Sequence, residues 1–284
     1  RSSAERIGSF SCSDGLLNRI HALILRAIES NLMSILTDCP HREKFGWLEQ
    51  THLMGPSIMY DFDVPLLLGK IVRDMADAQG GVSGIIPACA PEYQRFDPPF
   101  RDEPAWGSAY VILPWLFYQR YGDDSLIASA YGGMTRYAAY LKRISRGGII
   151  SRGLGDWMDV GPNPPYAQNT PIGLTSTAFF YLDLSLLEKM ARLLGKEEDA
   201  RGFALRAGEI REAFSREYLD PKTGRYGTGS QAAGAIALSF GLIPEEKRPA
   251  VLENLISDIQ DRGGHTTAGD LGPRFVLLSL PEAG

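Results

Sequence analysis

The chain has 284 residues, with 29 Lys and Arg against 34 Asp and Glu, a formal net charge of −5 and a pI near 5.5. This balance, with no basic tract, argues against a nucleic-acid partner, which would require a basic face. At 44% hydrophobic and 22% charged, the composition is that of a globular chain of one large or two small domains. No apolar run approaches the roughly 20 residues that span a bilayer, so no membrane partner is expected. Cys12, Cys39 and Cys89 form neither a CxxC pair nor an even set, which leaves no disulfide framework or zinc signature. The chain begins at Arg1, so it is expected to be processed or cut from something longer, and its N-terminus assigns no compartment. A secreted or periplasmic location is favoured over a cytoplasmic one, and no oligomeric state is readable.

In chain order, residues 13–37 read as a helix: Ser13 or Asp14 can cap it, and Leu17, Ile20, Ile24, Ile28, Leu32 and Ile35 recur at helical spacing. The dense segment DCPHREKFGWLEQ, 38–50, follows. Pro40 suits a helix start with Asp38 as its cap, and that helix is expected over 41–59. Helices are also expected over 66–79, 104–118, 125–144, 174–194, 198–218, 231–240 and 244–261, with another starting at Phe275. Long loops rich in Gly, Pro, acids and aromatics cover 80–101, 147–171, 220–230 and 262–274.

Nearly every element is therefore helical, and the pattern predicts an all-α fold. Every other connection is long and loaded with acids and aromatics. In an up-and-down array, alternate connections fall at one end of the molecule. This predicts an (α/α)6 toroid of inner and outer helices in one domain over 1–284, with an α-solenoid as the weaker option. A closed toroid needs about twelve helices, so the last part of the barrel is expected to lie outside this chain.

Four clusters are candidates for chemistry. The first holds Asp38, Arg42 and Glu43. A glycosidase needs a protonated carboxyl beside the leaving oxygen and a second carboxylate to activate water or attack the sugar. Glu43, close to Asp38 and flanked by Phe45 and Trp47, suits the first role. The structural alternative is a helix start, with Asp38 as cap and Glu43 at the positive helix end. The second is GDWMD: Trp157 offers a stacking face for a pyranose, and Asp156 and Asp159 offer acceptors for its hydroxyls. A buried Trp between turn-forming acids is the competing reading. In the third, FRDEPAWGSA, Trp106 is a possible sugar contact, but Asp-Glu-Pro is also a helix-start signal. The fourth, HTTAGD, places His265 near Asp270, where a structural histidine is the commoner outcome. No HExxH pair, Walker loop or GxSxG occurs, so no metal site and no cofactor are expected.

The segment DCPHREKFGWLEQTHLMG resembles the signature of α-L-rhamnosidases of glycoside hydrolase family 78. The likeness continues in order through APEY, FRDEPAWGSA, GDWMDVGP, LTSTAFFY, GSQAAGAIAL and TTAGDLG. The resemblance implies an (α/α)6 catalytic domain flanked by β-sandwich domains, and hydrolysis of terminal α-L-rhamnosides with inversion. It implies Glu43 as general acid and Asp38 and Arg42 as ligands of the rhamnose hydroxyls. Asp156 and Trp157 would line the pocket, with Trp106 beside them. Many members carry Gly-Asp after the motif's Trp, where this chain reads Leu48, Glu49 and Gln50. That departure puts the role of Gln50 in question and implies altered sugar contacts. The family's general base is a Glu on a later loop, for which this chain has no matching position. A non-catalytic sugar-binding toroid, and another toroid glycosidase or a polysaccharide lyase, are the competing functions.

Overall fold

A computed structural model describes residues 3–283, so the outer ends of the 1–284 domain span lie outside the described residues. The described residues form twelve α-helices and no β-strand, only isolated bridges. The helices are α1 Gly15–Asn31, α2 Leu48–Leu53, α3 Gly55–Asp61, α4 Pro65–Ala78, α5 Pro104–Gly107 and α6 Ala109–Tyr121. They continue as α7 Ser125–Ile144, α8 Ile172–Leu193, α9 Glu197–Tyr218, α10 Gln231–Ser239, α11 Arg248–Asp261 and α12 Gly272–Ser279.

The alternation of inner and outer helices follows from which faces are apolar. Helix α8 buries Leu174, Ala178, Phe179, Phe180, Leu187 and Met190 around most of its circumference, as an interior helix must. Helix α9 follows it, rich in charge, and buries only a stripe of Ala200, Ala207, Ile210, Ala213 and Phe214. Helix α10, QAAGAIALS, is almost wholly buried, whereas α11 buries only Val251 and Leu255, one turn apart. Inner helices α6, α8, α10 and α12 touch in succession, and α7, α9 and α11 lie against them from outside. This is the expected all-α toroid wall.

Phe179 lies at the centre of that inner row. Its ring meets those of His52 at 5.6 Å, Phe240 at 5.1 Å and Phe275 at 6.1 Å, so it joins α2, α8, the end of α10 and α12. Phe179→Ala is expected to destabilise the fold by about 3–5 kcal/mol, because the ring is fully buried and the cavity cannot close without moving four elements. A lowered urea midpoint with an unchanged slope would show it.

Three boundaries differ from the sequence expectation. Helix α1 ends at Asn31, and residues 32–37 form a compact turn closed by a Leu32–Leu36 bridge. Asp14, rather than Ser13, caps its start by accepting from the Leu16 amide at 2.7 Å. No helix begins at Pro40 or His41. Lys44 adopts φ 59°, and Asp38 closes the segment onto Phe45 instead of capping a helix. The helix starts at Leu48 and breaks again at Met54, because Pro56 has no N–H to extend the ladder of α2.

The long loops meet at one end of the array. The Leu48 amide donates to the Ala88 carbonyl at 2.8 Å and the Ala90 amide to Gly46 at 3.1 Å, joining the first motif to the 80–101 loop. Arg152 pairs with Asp102 at 3.0 Å. The Val160 amide donates to Thr267 at 3.1 Å, and Thr170 and Ser230 share a hydrogen bond of 2.6 Å. All four long loops are thus linked around one face.

Candidate active site

The first motif is a tight loop stabilised by its own backbone. Asp38 and Phe45 exchange bonds: the Asp38 amide donates to the Phe45 carbonyl at 3.0 Å, and the Phe45 amide donates to Asp38 Oδ1 at 2.9 Å. Gly46 is required because a Cβ there would stand 2.6 Å from the Ala90 carbonyl oxygen. The loop presents Arg42 and Glu43 to solvent. Arg42 makes no ion pair among the described residues, while Glu43 is oriented from two sides. Its amide donates to Cys39 Sγ at 3.2 Å, and its Oε2 accepts from the Trp47 indole N–H at 3.0 Å. Cys39 is therefore part of the loop's framework.

An aromatic wall runs inward from Glu43. Trp47 packs edge-on against Trp106 at 5.2 Å and tilted against Phe96 at 4.8 Å, and Phe45 stacks on Tyr93 at 5.1 Å. Trp106 is only 4% exposed, and its indole nitrogen has no partner among the described residues. Glu103, just before it, caps α5 by accepting from the Ala105 amide at 3.0 Å and also accepts from Leu154. The helix-start reading of Asp-Glu-Pro is thus the structural one. Burial pushes the Glu103 carboxyl up to about 7 despite these bonds.

Behind Trp106 lies a carboxyl pair. Glu49, on α2, is 6% exposed; its Oε1 accepts from Gln50 Nε2 at 2.6 Å, and its Oε2 has no partner among the described residues. Burial raises its pKa well above the usual range, and the charge of Asp270 adds to this. Asp270 is itself pushed up to about 7, by burial first and then by Asp156. His52, one turn along α2, is held neutral: burial lowers it to about 3, so its Nε2–H donates to the Ala105 carbonyl at 3.0 Å. In the sequence Glu49 stands out only as a departure from a family pattern, and Asp270 only through its nearness to His265. The single available signal was a polar Glu-Gln pair between apolar positions of a short helix.

The GDWMD loop divides into three roles. Asp156 is 0% exposed, and its oxygens accept from the amides of Gly269 at 2.9 Å, Leu271 at 3.1 Å and Gly272 at 2.9 Å. It is the acceptor for the start of α12 from across the molecule, and burial raises its pKa. Gly269 is essential to this contact, since a Cβ there would strike the Trp157 and Asp156 carbonyls. Asp159, 2% exposed, accepts from the amides of Gln168 at 3.0 Å and Asn169 at 2.6 Å, closing its own loop. Only Trp157 offers a partly exposed face, with its ring edge-on to Phe100 at 5.3 Å and Tyr166 at 5.7 Å. Its carbonyl accepts from the Asp270 amide at 2.7 Å, which places Asp270 beside it.

Contacts thus run from Glu43 through Trp47 to Trp106, from Glu49 to Gln50 and from Asp270 to Trp157, and the charge of Asp270 acts on Glu49. The structure assigns the carboxylates of Asp156 and Asp159 to backbone amides. His265 is exposed and outside these contacts. A large surface cleft of about 830 Å³ is lined by early residues such as Arg6, Arg26 and Met33, together with Phe62, and contains none of these groups.

Residues 5–284 match the sequence model of the bacterial α-L-rhamnosidase six-hairpin glycosidase domain. An α-L-rhamnosidase of Formosa agariphila is 31% identical over 99% of this chain and 31% of its own length. One of Streptomyces avermitilis is 30% identical over 97% of this chain and 26% of its own. Among solved structures, the α-L-rhamnosidase of Dictyoglumus thermophilum superposes with a TM-score of 0.93 at 33% identity, over 100% of this chain and 32% of that one. The Streptomyces avermitilis α-L-rhamnosidase, solved in complex with L-rhamnose, superposes with a TM-score of 0.91 at 30% identity, over 100% of this chain and 26% of that one. The chain thus spans about a third or less of the length of these relatives.

Proposed function

The chain belongs to the bacterial α-L-rhamnosidase six-hairpin glycosidase family, and from that premise we propose that it carries the acid half of an inverting α-L-rhamnosidase site. The observation that supports this most directly is the Glu43 carboxyl, exposed at the loop face and held by the Trp47 indole N–H. Glu43 delivers its proton to the glycosidic oxygen as the bond to the anomeric carbon breaks. A second carboxylate, supplied from outside residues 1–284, activates water on the opposite face of the sugar. Inversion requires the two carboxyl groups to stand roughly 6.5–9.5 Å apart.

The other candidate residues bind or build. Asp38 keeps one oxygen on the Phe45 amide and has the other available for a sugar hydroxyl. Arg42, exposed and without an ion pair among the described residues, supplies donors, and Trp157 offers a stacking face. Trp106, with Gln50 close to Glu49, forms the inner wall. Asp156 and Asp159 act on the sugar only through the loop that they hold. The substrate is a terminal α-L-rhamnoside, because the relatives are named for that activity and one was solved with L-rhamnose.

The test is rhamnose release from an aryl α-L-rhamnoside by the full-length enzyme, with the anomer followed by NMR. The β-anomer should appear first and mutarotate later. First appearance of the α-anomer would overturn inversion, and binding without release would make the toroid a sugar-binding module.

A further inference from the structure

Three buried polar atoms on the inner wall lack partners among the described residues: Glu49 Oε2, Gln50 Oε1 and Trp106 Nε1. Trp106 and Glu49 are both more than nine-tenths buried, and the Trp106 indole N–H faces the Glu49 carboxyl. The Trp106 indole N–H is thus turned onto the Glu49 carboxyl, where it lowers the pKa against the larger effect of burial. Next to them stands Asp270. Its amide is fixed on the Trp157 carbonyl at 2.7 Å, its side chain has no hydrogen-bond partner among the described residues, and it is only partly buried. Asp270 is thus the accessible member of a cluster whose other members are closed off, and it sits beside the candidate stacking face.

We propose that Asp270 is a specificity-determining residue that accepts a hydrogen bond from a ring hydroxyl of the bound sugar, and that Glu49 is the positioning residue behind it. This rests on the rhamnosidase reading and deepens it. Glu49 Oε1 takes the Gln50 amide N–H₂ at 2.6 Å, so Gln50 can present only its carbonyl oxygen toward the wall. With the Gln50 carbonyl and the Trp106 indole N–H closed off, the Asp270 carboxyl is the acceptor that this wall offers to a ring hydroxyl. Arg274, on α12, donates from its guanidinium to the Leu53 carbonyl at the end of α2. That same bond draws the start of α12, and with it Asp270, against α2.

The experiment compares Asp270→Ala, Asp270→Asn, Glu49→Ala and Glu49→Gln with the parent in the full-length enzyme. Hydrolysis of 4-nitrophenyl α-L-rhamnoside and binding of L-rhamnose and its 2-, 3- and 4-deoxy analogues are measured, and folding is checked by circular dichroism. Asp270→Ala should raise KM and the L-rhamnose Kd by about ten-fold or more with kcat little changed, the mark of a lost binding contact. Against this variant, one deoxy analogue should bind as well as it binds the parent, which loss of structure alone would not produce. Asp270→Asn, which keeps an acceptor and the shape, should recover part of the affinity if the Ala variant folds poorly. Glu49→Gln should retain affinity where Glu49→Ala loses it. A KM and Kd within two-fold of the parent in both Asp270 variants would overturn the inference. A parent that neither binds nor hydrolyses rhamnosides would overturn the rhamnosidase reading itself.

Discussion

Glu43→Gln is expected to slow hydrolysis of alkyl α-L-rhamnosides by about 10²–10⁴-fold, the range for loss of a positioned general acid. The amide keeps the size of the side chain and still accepts from the Trp47 indole N–H, so folding and rhamnose binding should be unchanged. The loss should fall mainly on kcat and shrink as the leaving group improves, because a good leaving group departs without a proton. A series of aryl rhamnosides of graded leaving-group pKa measures this directly. Equal loss across the series would indicate a role in binding instead, and full activity throughout would remove Glu43 from the mechanism.

The second large effect is on stability. Asp156→Ala should destabilise the chain by about 3–5 kcal/mol, because it leaves the amides of Gly269, Leu271 and Gly272 without their acceptor in a buried position. For a chain of this size that is a fall in Tm of roughly 10 °C. Asp156→Asn retains one acceptor oxygen and should lose about half as much. Differential scanning calorimetry separates this from a direct sugar contact. If Asp156 chiefly bound the sugar, the Ala variant would keep its Tm and lose affinity alone. The two substitutions thus act on different levels: Glu43 on the reacting bond, Asp156 on the scaffold that positions Trp157 and Asp270 beside it.

Much of the helical layout was legible in the residues. In α1 the expected stripe held only in part, since Leu17 and Ile20 are exposed while Ile28 is buried, but the apolar positions of α8 carried the correct period. So did the charged face of α9, because burial on one stripe or all round leaves a direct mark on composition. The alternation of plain and decorated connections placed the chemistry at one end. The failures were local. Asp38 and Pro40 satisfy every rule for a helix start, yet residues 40–47 form a loop. The competing contacts are non-local: Gly46 and Leu48 pair with the 80–101 loop.

The sequence by itself determined that the fold is helical and that plain and decorated connections alternate. The DCPHREKFGWLEQ segment, through its resemblance to a family, also carried the expected identity and the candidate acid. Only the tertiary structure decided what each acid does. In sequence, Asp156 and Asp159 flank Trp157 and look like sugar ligands, but folding turns both carboxyls onto backbone amides. Glu49 and Asp270 are 221 positions apart in the numbering, and folding brings Asp270 near enough for its charge to raise the Glu49 pKa. Whether a carboxyl holds a loop, faces another carboxyl or meets a ligand depends on burial and on the donors within about 3 Å. For Asp156 those donors come from residues 269–272 at the start of α12, which only folding brings to it, and for Asp159 from its own loop.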